Sequence, residues 1–99
     1  MRLILYSKPG CHLCEGLQEK LEQIIQTRQQ SPQQAELPSL QLEIRDITTR
    51  EDWFGAYQYE VPVLFVLKQD AKEENMQLIP RPSPRATVQQ LEKILQKYL

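Results

Sequence analysis

The strongest constraint on the fold is a contrast between two kinds of apolar run. Leu3-Ile4-Leu5-Tyr6 is apolar without a break, and Val61 to Leu67 is nearly so, interrupted at Pro62. Unbroken runs of this length suit strands covered on both faces. Leu40-Gln41-Leu42-Glu43-Ile44-Arg45 alternates strictly instead, and Met76-Gln77-Leu78 alternates briefly. Alternation marks a strand with one wetter face, nearer the edge of a sheet. The first and third strands are therefore expected in the centre and the second and fourth outside them, in the order 2-1-3-4.

Three helical patterns fit between these runs. The first starts near Cys11 and reaches about Gln29. Leu13, Leu17, Leu21, Ile24 and Ile25 share one side of it at ~100° per residue, with Cys14 in the same sector and His12 opposite. The second is short, Glu51 to Tyr57, with Thr49 as a hydroxyl cap and acids in the first turn. The third spans roughly Pro84 to Tyr98, with Val88, Leu91, Leu95 and Tyr98 as its stripe. Two starts compete for it: Ser83-Pro84, with proline at the first helical position, and a capping box at Thr87-Val88-Gln89-Gln90. Residues 26–39, rich in Gln with Pro32 and Pro38, read as a helix end running into a loop, and 68–75 as a long hairpin loop.

The element order is βαβαββα, an α/β pattern. A helix joins the first two strands, which makes them parallel with a right-handed crossover. A hairpin joins the last two, which makes them antiparallel. The sheet is thus four-stranded and mixed, with helices on both faces. At 99 residues, a single domain over 1–99 is expected, able to bury a core without a disulfide staple.

Charge and hydropathy narrow the function classes. With 12 basic and 13 acidic side chains the net charge is -1, which offers no excess to neutralise a phosphate backbone, so no nucleic-acid partner is expected. The apolar runs are too short to span a bilayer. Only Met1 and Arg2 precede the first strand, so no leader peptide is expected, and the expected setting is cytoplasmic, as a monomer.

The 2 cysteines, Cys11 and Cys14, enclose His12 and Leu13. In a reducing compartment such a pair points to redox or metal chemistry rather than a structural bridge. The pair follows the first strand through Ser7-Lys8-Pro9-Gly10 and opens a helix. Free N–H groups of the first turn and the helix dipole both favour a thiolate at Cys11. The thiolate is the nucleophile of disulfide exchange. Cys14, one turn further in and facing the core, is placed to resolve a mixed disulfide. A zinc site wants four ligands, and the chain has one histidine and no third cysteine, so no metal is expected. Two other readings stand beside the redox one. One is a non-catalytic module that binds a partner in the groove near Pro62, and the other a carrier of a metal or of a cluster bridged between chains.

The neighbours each admit a functional and a plainer reading. Lys8 suits stabilising the thiolate or binding a substrate carboxylate, against a solvated loop lysine. His12 suits tuning the thiols, against a solvent-facing turn residue. Trp53 and Tyr57 read as core, and Arg81 and Arg85 as solvated loop. From spacing alone Pro62 reads as a trans-proline opening a strand, because cis bonds are a minority even at proline.

Tyr6-Ser7-Lys8-Pro9-Gly10-Cys11-His12-Leu13-Cys14 resembles the glutaredoxin signature, and Glu60-Val61-Pro62-Val63 resembles the cis-proline element of the thioredoxin fold. The chain is most similar in pattern to short bacterial glutaredoxin-like proteins, over nearly its whole length. The resemblance implies a thioredoxin-like fold and a thiol-disulfide oxidoreductase, with Cys11 as nucleophile and Cys14 resolving. It implies a cis bond between Val61 and Pro62 against the dithiol, and a Val61 backbone available to pair with substrate. Lys8, Val61 and Pro62 are then substrate-binding residues. The implied partner is a disulfide-containing protein or glutathione as co-substrate, with no bound cofactor. Three positions depart from the glutaredoxin pattern. Glu60 stands for threonine, Leu13 for the dithiol tyrosine, and Pro80-Arg81-Pro82-Ser83-Pro84-Arg85 for a Gly-Gly turn. Proline lacks the N–H donors that such a turn offers to glutathione.

Overall fold

The computed structural model describes residues 1–30, 40–68, 72, 75–83 and 85–98. Most of the expected loops at 31–39 and 69–74, and Pro84, lie outside them. β1 (Arg2–Ser7) leads into α1 (His12–Gln30), then β2 (Gln41–Asp46), α2 (Glu51–Tyr57), β3 (Val63–Leu67), β4 (Gln77–Ile79) and α3 (Val88–Gln96). The strands form one mixed sheet in the order β2-β1-β3-β4. β1 and β2 are parallel, with Leu3 opposite Leu42 and Leu5 opposite Ile44. β3 runs antiparallel to β1 and to β4. The unbroken apolar runs do occupy the centre, because each must supply apolar side chains to both faces.

Those faces are separate cores. Leu3 and Leu5 point to one side, where they pack with Leu64, Val66, Ile79, Leu17, Leu21 and Ile24 of α1, and Leu91 and Leu95 of α3. Ile4 and Tyr6 point to the other, against Ile47, Trp53 and Tyr57 at α2 and Phe65 of β3. Burying each such aliphatic side chain contributes about 1.5–3 kcal/mol. Among the described residues no helix is long and apolar enough to cross a membrane.

Several expectations need correction. Leu13 is not in the core; it is 52% exposed, because the surface beside the first turn of α1 is a groove rather than the sheet. Thr49 does not cap α2. Asp46 instead caps a 3-10 turn at Ile47–Thr49, accepting the Thr48 N–H, and Arg50 precedes α2 without a side-chain cap bond. The Asp46 carboxylate accepts from Thr48 through both N–H and O–H, at 2.9 and 2.6 Å, and Thr49 is spent inside the turn, where its hydroxyl donates to the Asp46 carbonyl at 2.7 Å. α3 starts later than Pro84. The capping box wins, with Thr87 Oγ1 accepting the Gln90 N–H and Gln90 Oε1 accepting the Thr87 N–H. β3 begins at Val63, after Pro62, and β4 begins at Gln77, after Met76.

Candidate functional site around Cys11 and Cys14

The turn between β1 and α1 is set by its own residues. Proline fixes φ at Pro9, and Gly10 takes φ 78°, a value that costs glycine nothing. The Cys11 N–H then reaches back to the Lys8 carbonyl at 3.3 Å. Proline followed by a positive-φ glycine is the type II turn pattern. It delivers Cys11 to the N-cap of α1.

Cys11 fills that place with sulfur. Its carbonyl accepts the Glu15 N–H at 3.1 Å, and its Sγ accepts the Cys14 N–H at 3.2 Å. The second contact is the bond that a serine or aspartate oxygen makes at an N-cap. Cys11 is half-buried, whereas Cys14 is 3% exposed on the core side of α1. The two are joined as a disulfide across a Cα separation of 5.3 Å.

The Val61–Pro62 bond is cis, as the resemblance implied and the spacing alone did not. Two cations hold the segment before it. Lys8 Nζ donates to the Gln58 carbonyl at 3.3 Å, and the Arg81 guanidinium donates to the Glu60 carbonyl. Lys8 therefore ties the dithiol turn to the proline loop. The Val61 N–H is already donated to the Tyr57 carbonyl at 3.1 Å, so of the two backbone groups expected to serve a substrate, the donor is committed. His12 is solvent-facing, with Nδ1 3.5 Å from the Glu15 carboxylate.

A groove of about 140 Å³ opens beside the dithiol turn, lined by His12, Leu13 and Leu17 of α1, Pro62, and Arg81, Pro82 and Ala86 before α3. Arg81 was expected in solvated loop, and its place here has no sequence signal beyond its proximity to β4. Leu13 had one, as the residue between Cys11 and Cys14 that carries a large apolar side chain. Trp53 and Tyr57 pack on Tyr6, with ring centroids 5.7 and 4.4 Å away, as core rather than site. Burial raises the Tyr57 pKa, helped by Tyr6 and opposed by Arg45. Among the described residues no three His, Cys, Asp or Glu side chains gather to hold a metal ion.

A sheet in this order, a Cys-X-X-Cys pair opening the first helix and a cis-proline entering the third strand together define the thioredoxin fold. The chain is similar in structure to thioredoxin 1 from the thermophilic eubacterium Thermosipho africanus TCF52B, at 13% identity and TM-score 0.59, covering 99% of this chain and 93% of that one. It is similar to a malarial protein at 12% identity and TM-score 0.61, covering 99% and 96%. Such identities speak for the fold alone. The family is narrower: residues 2–96 match the Glutaredoxin-like domain (DUF836), and the chain belongs to that family. No curated protein matches it.

Proposed function

We propose that the protein is a thiol-disulfide oxidoreductase in which Cys11 attacks and Cys14 resolves. The observation that carries this reading is the asymmetry of the pair. Cys11 is half-buried at a helix N-terminus, its Sγ accepting an N–H at 3.2 Å, and Cys14 is enclosed one turn behind it. A donor and the positive end of the helix dipole stabilise a thiolate at the first sulfur and not at the second.

The Cys11 thiolate attacks one sulfur of a substrate disulfide; a new S–S bond forms and the other substrate sulfur leaves as a thiolate. Cys14, losing its proton, attacks Cys11 Sγ and expels the second substrate thiolate. The substrate gains two electrons, and the protein is left with the Cys11–Cys14 disulfide. Two glutathione molecules or one protein dithiol reduce that bridge again, and are themselves left joined as a disulfide.

Pro62 and Val61 lie on the substrate side of this scheme, with the Val61 carbonyl the group to pair with an incoming chain. Lys8 holds the loop that carries them and adds a positive charge there. Cys14→Ser should accumulate a mixed disulfide on Cys11, detectable by mass as an adduct that a reductant removes. Trapping through Cys14 in Cys11→Ser would reverse the roles. Turnover assayed in parallel with glutathione and with a thioredoxin reductase identifies the donor, and activity with neither argues against the reading.

A further inference from the structure

We propose that the groove beside Cys11 chooses the substrate: it takes an aliphatic side chain next to the disulfide cysteine of an extended protein segment that carries an acidic residue just beyond. The inference rests on the exchange chemistry proposed above.

Three observations support it. The groove is continuous with the reactive turn, since His12 and Leu13 directly follow Cys11 and Pro62 also borders it. Neighbouring Cα atoms in a chain are ~3.8 Å apart, so a residue adjacent to a cysteine bonded to Cys11 is brought to this groove. Its volume of about 140 Å³ and its walls of Leu13, Leu17, Pro62, Pro82, Ala86 and Leu91 suit one apolar side chain. Apolar cavities of roughly this size, about 150 Å³, hold a benzene-sized group. Finally, the cations lining it are Lys20 and Arg81, no Asp or Glu lines it, and His12 at its rim faces the Glu15 carboxylate at 3.5 Å. Lys20 Nζ donates to the Ala86 carbonyl at 2.7 Å, which fixes its charge at the groove. That field favours a carboxylate on the incoming segment.

Glutathione does not meet these terms. Its cysteine is flanked by a γ-linked glutamyl group and a glycine, so it brings no aliphatic side chain to the groove. Its carboxylates can answer the charge but leave the apolar walls unfilled.

The test uses the reduced full-length protein and short peptides whose cysteine is capped by thionitrobenzoate. Attack on the peptide sulfur releases the coloured thiolate, and Cys14→Ser retains the peptide for mass analysis. A Glu-Leu-Cys peptide should react at least about 10-fold faster than Glu-Ser-Cys and than glutathione capped in the same way. It should also outpace Lys-Leu-Cys, by a margin that shrinks as salt is added. Gly16 borders the groove, and a Cβ built there meets nothing within 4 Å. Gly16→Leu therefore fills the groove from a helical position where glycine is unfavourable, about 1 kcal/mol worse than alanine. In that variant the rate ratio of the Leu to the Ser peptide should fall towards 1. Equal rates for the Leu and Ser peptides overturn the inference, as does a salt-independent indifference to Glu against Lys. A Leu preference that survives Gly16→Leu also overturns it. All of these outcomes leave the exchange function standing. Release from no capped thiol overturns the exchange reading itself, a distinguishable result.

Discussion

Arg45 has a setting unusual for its chemistry. It is 9% exposed, the one buried charged side chain among the described residues. It donates to the Tyr6 hydroxyl at 2.9 Å and to Glu43, and its guanidinium stands 5.4 Å from the centroid of the Trp53 ring. A buried cation is tolerated when such partners replace its water. Arg45→Ala should cost about 1–3 kcal/mol in urea unfolding through lost packing and ring contact. Arg45→Met, which keeps the stem, should cost less. This residue was not legible in the sequence. Alternation in β2 placed Leu42 and Ile44 inward, and by the same rule placed Arg45 in water. The rule separates the two sides of the strand but not their burial: Ile44 is 38% exposed and Arg45 is buried, because the aromatic rings around α2 cover the second face.

Two caps set element boundaries, Thr87 before α3 and Asp46 before the turn that follows β2. The capping box at Thr87 was one of two starts legible in the sequence. Choosing between them required knowing where α3 meets the sheet, since Leu91 and Leu95 must reach the core. Thr87→Ala should lower stability by about 1 kcal/mol in the same unfolding assay. Asp46 caps the turn after β2, and its hydrogen bonds from the Thr48 hydroxyl and N–H hold its carboxyl pKa below the ordinary aspartate value. A carboxyl whose folded pKa lies below its unfolded value favours folding above the unfolded pKa, near ~3.9, and that help is lost as pH falls through the folded value. Asp46→Asn should therefore flatten the stability profile below about pH 4 and leave its shape at neutral pH unchanged. The strand order was legible because two apolar runs without alternation have only one place in a four-stranded sheet. The cis bond at Pro62 was legible only through the family pattern, since neither spacing nor burial of a proline reports its isomer.

For the molecule as a whole, the two cores meet no disulfide other than Cys11–Cys14, which closes a short local loop. Such a crosslink is worth at most about 2 kcal/mol in chain-entropy terms, so the reduced protein should stay folded, with one cooperative urea transition and a modestly lower midpoint. A chain that unfolds on reduction would make the bridge structural. In the proposed exchange the fold makes Cys11, and not Cys14, the reactive sulfur. The most direct test is the pH dependence of alkylation of the fully reduced protein, with the modified cysteine located by peptide mapping. Cys11 is expected to be alkylated first, with its half-maximal rate reached well below the pH of ~8.5 expected of an ordinary thiol. Alkylation of Cys14 first, or of Cys11 with an ordinary midpoint, would contradict it.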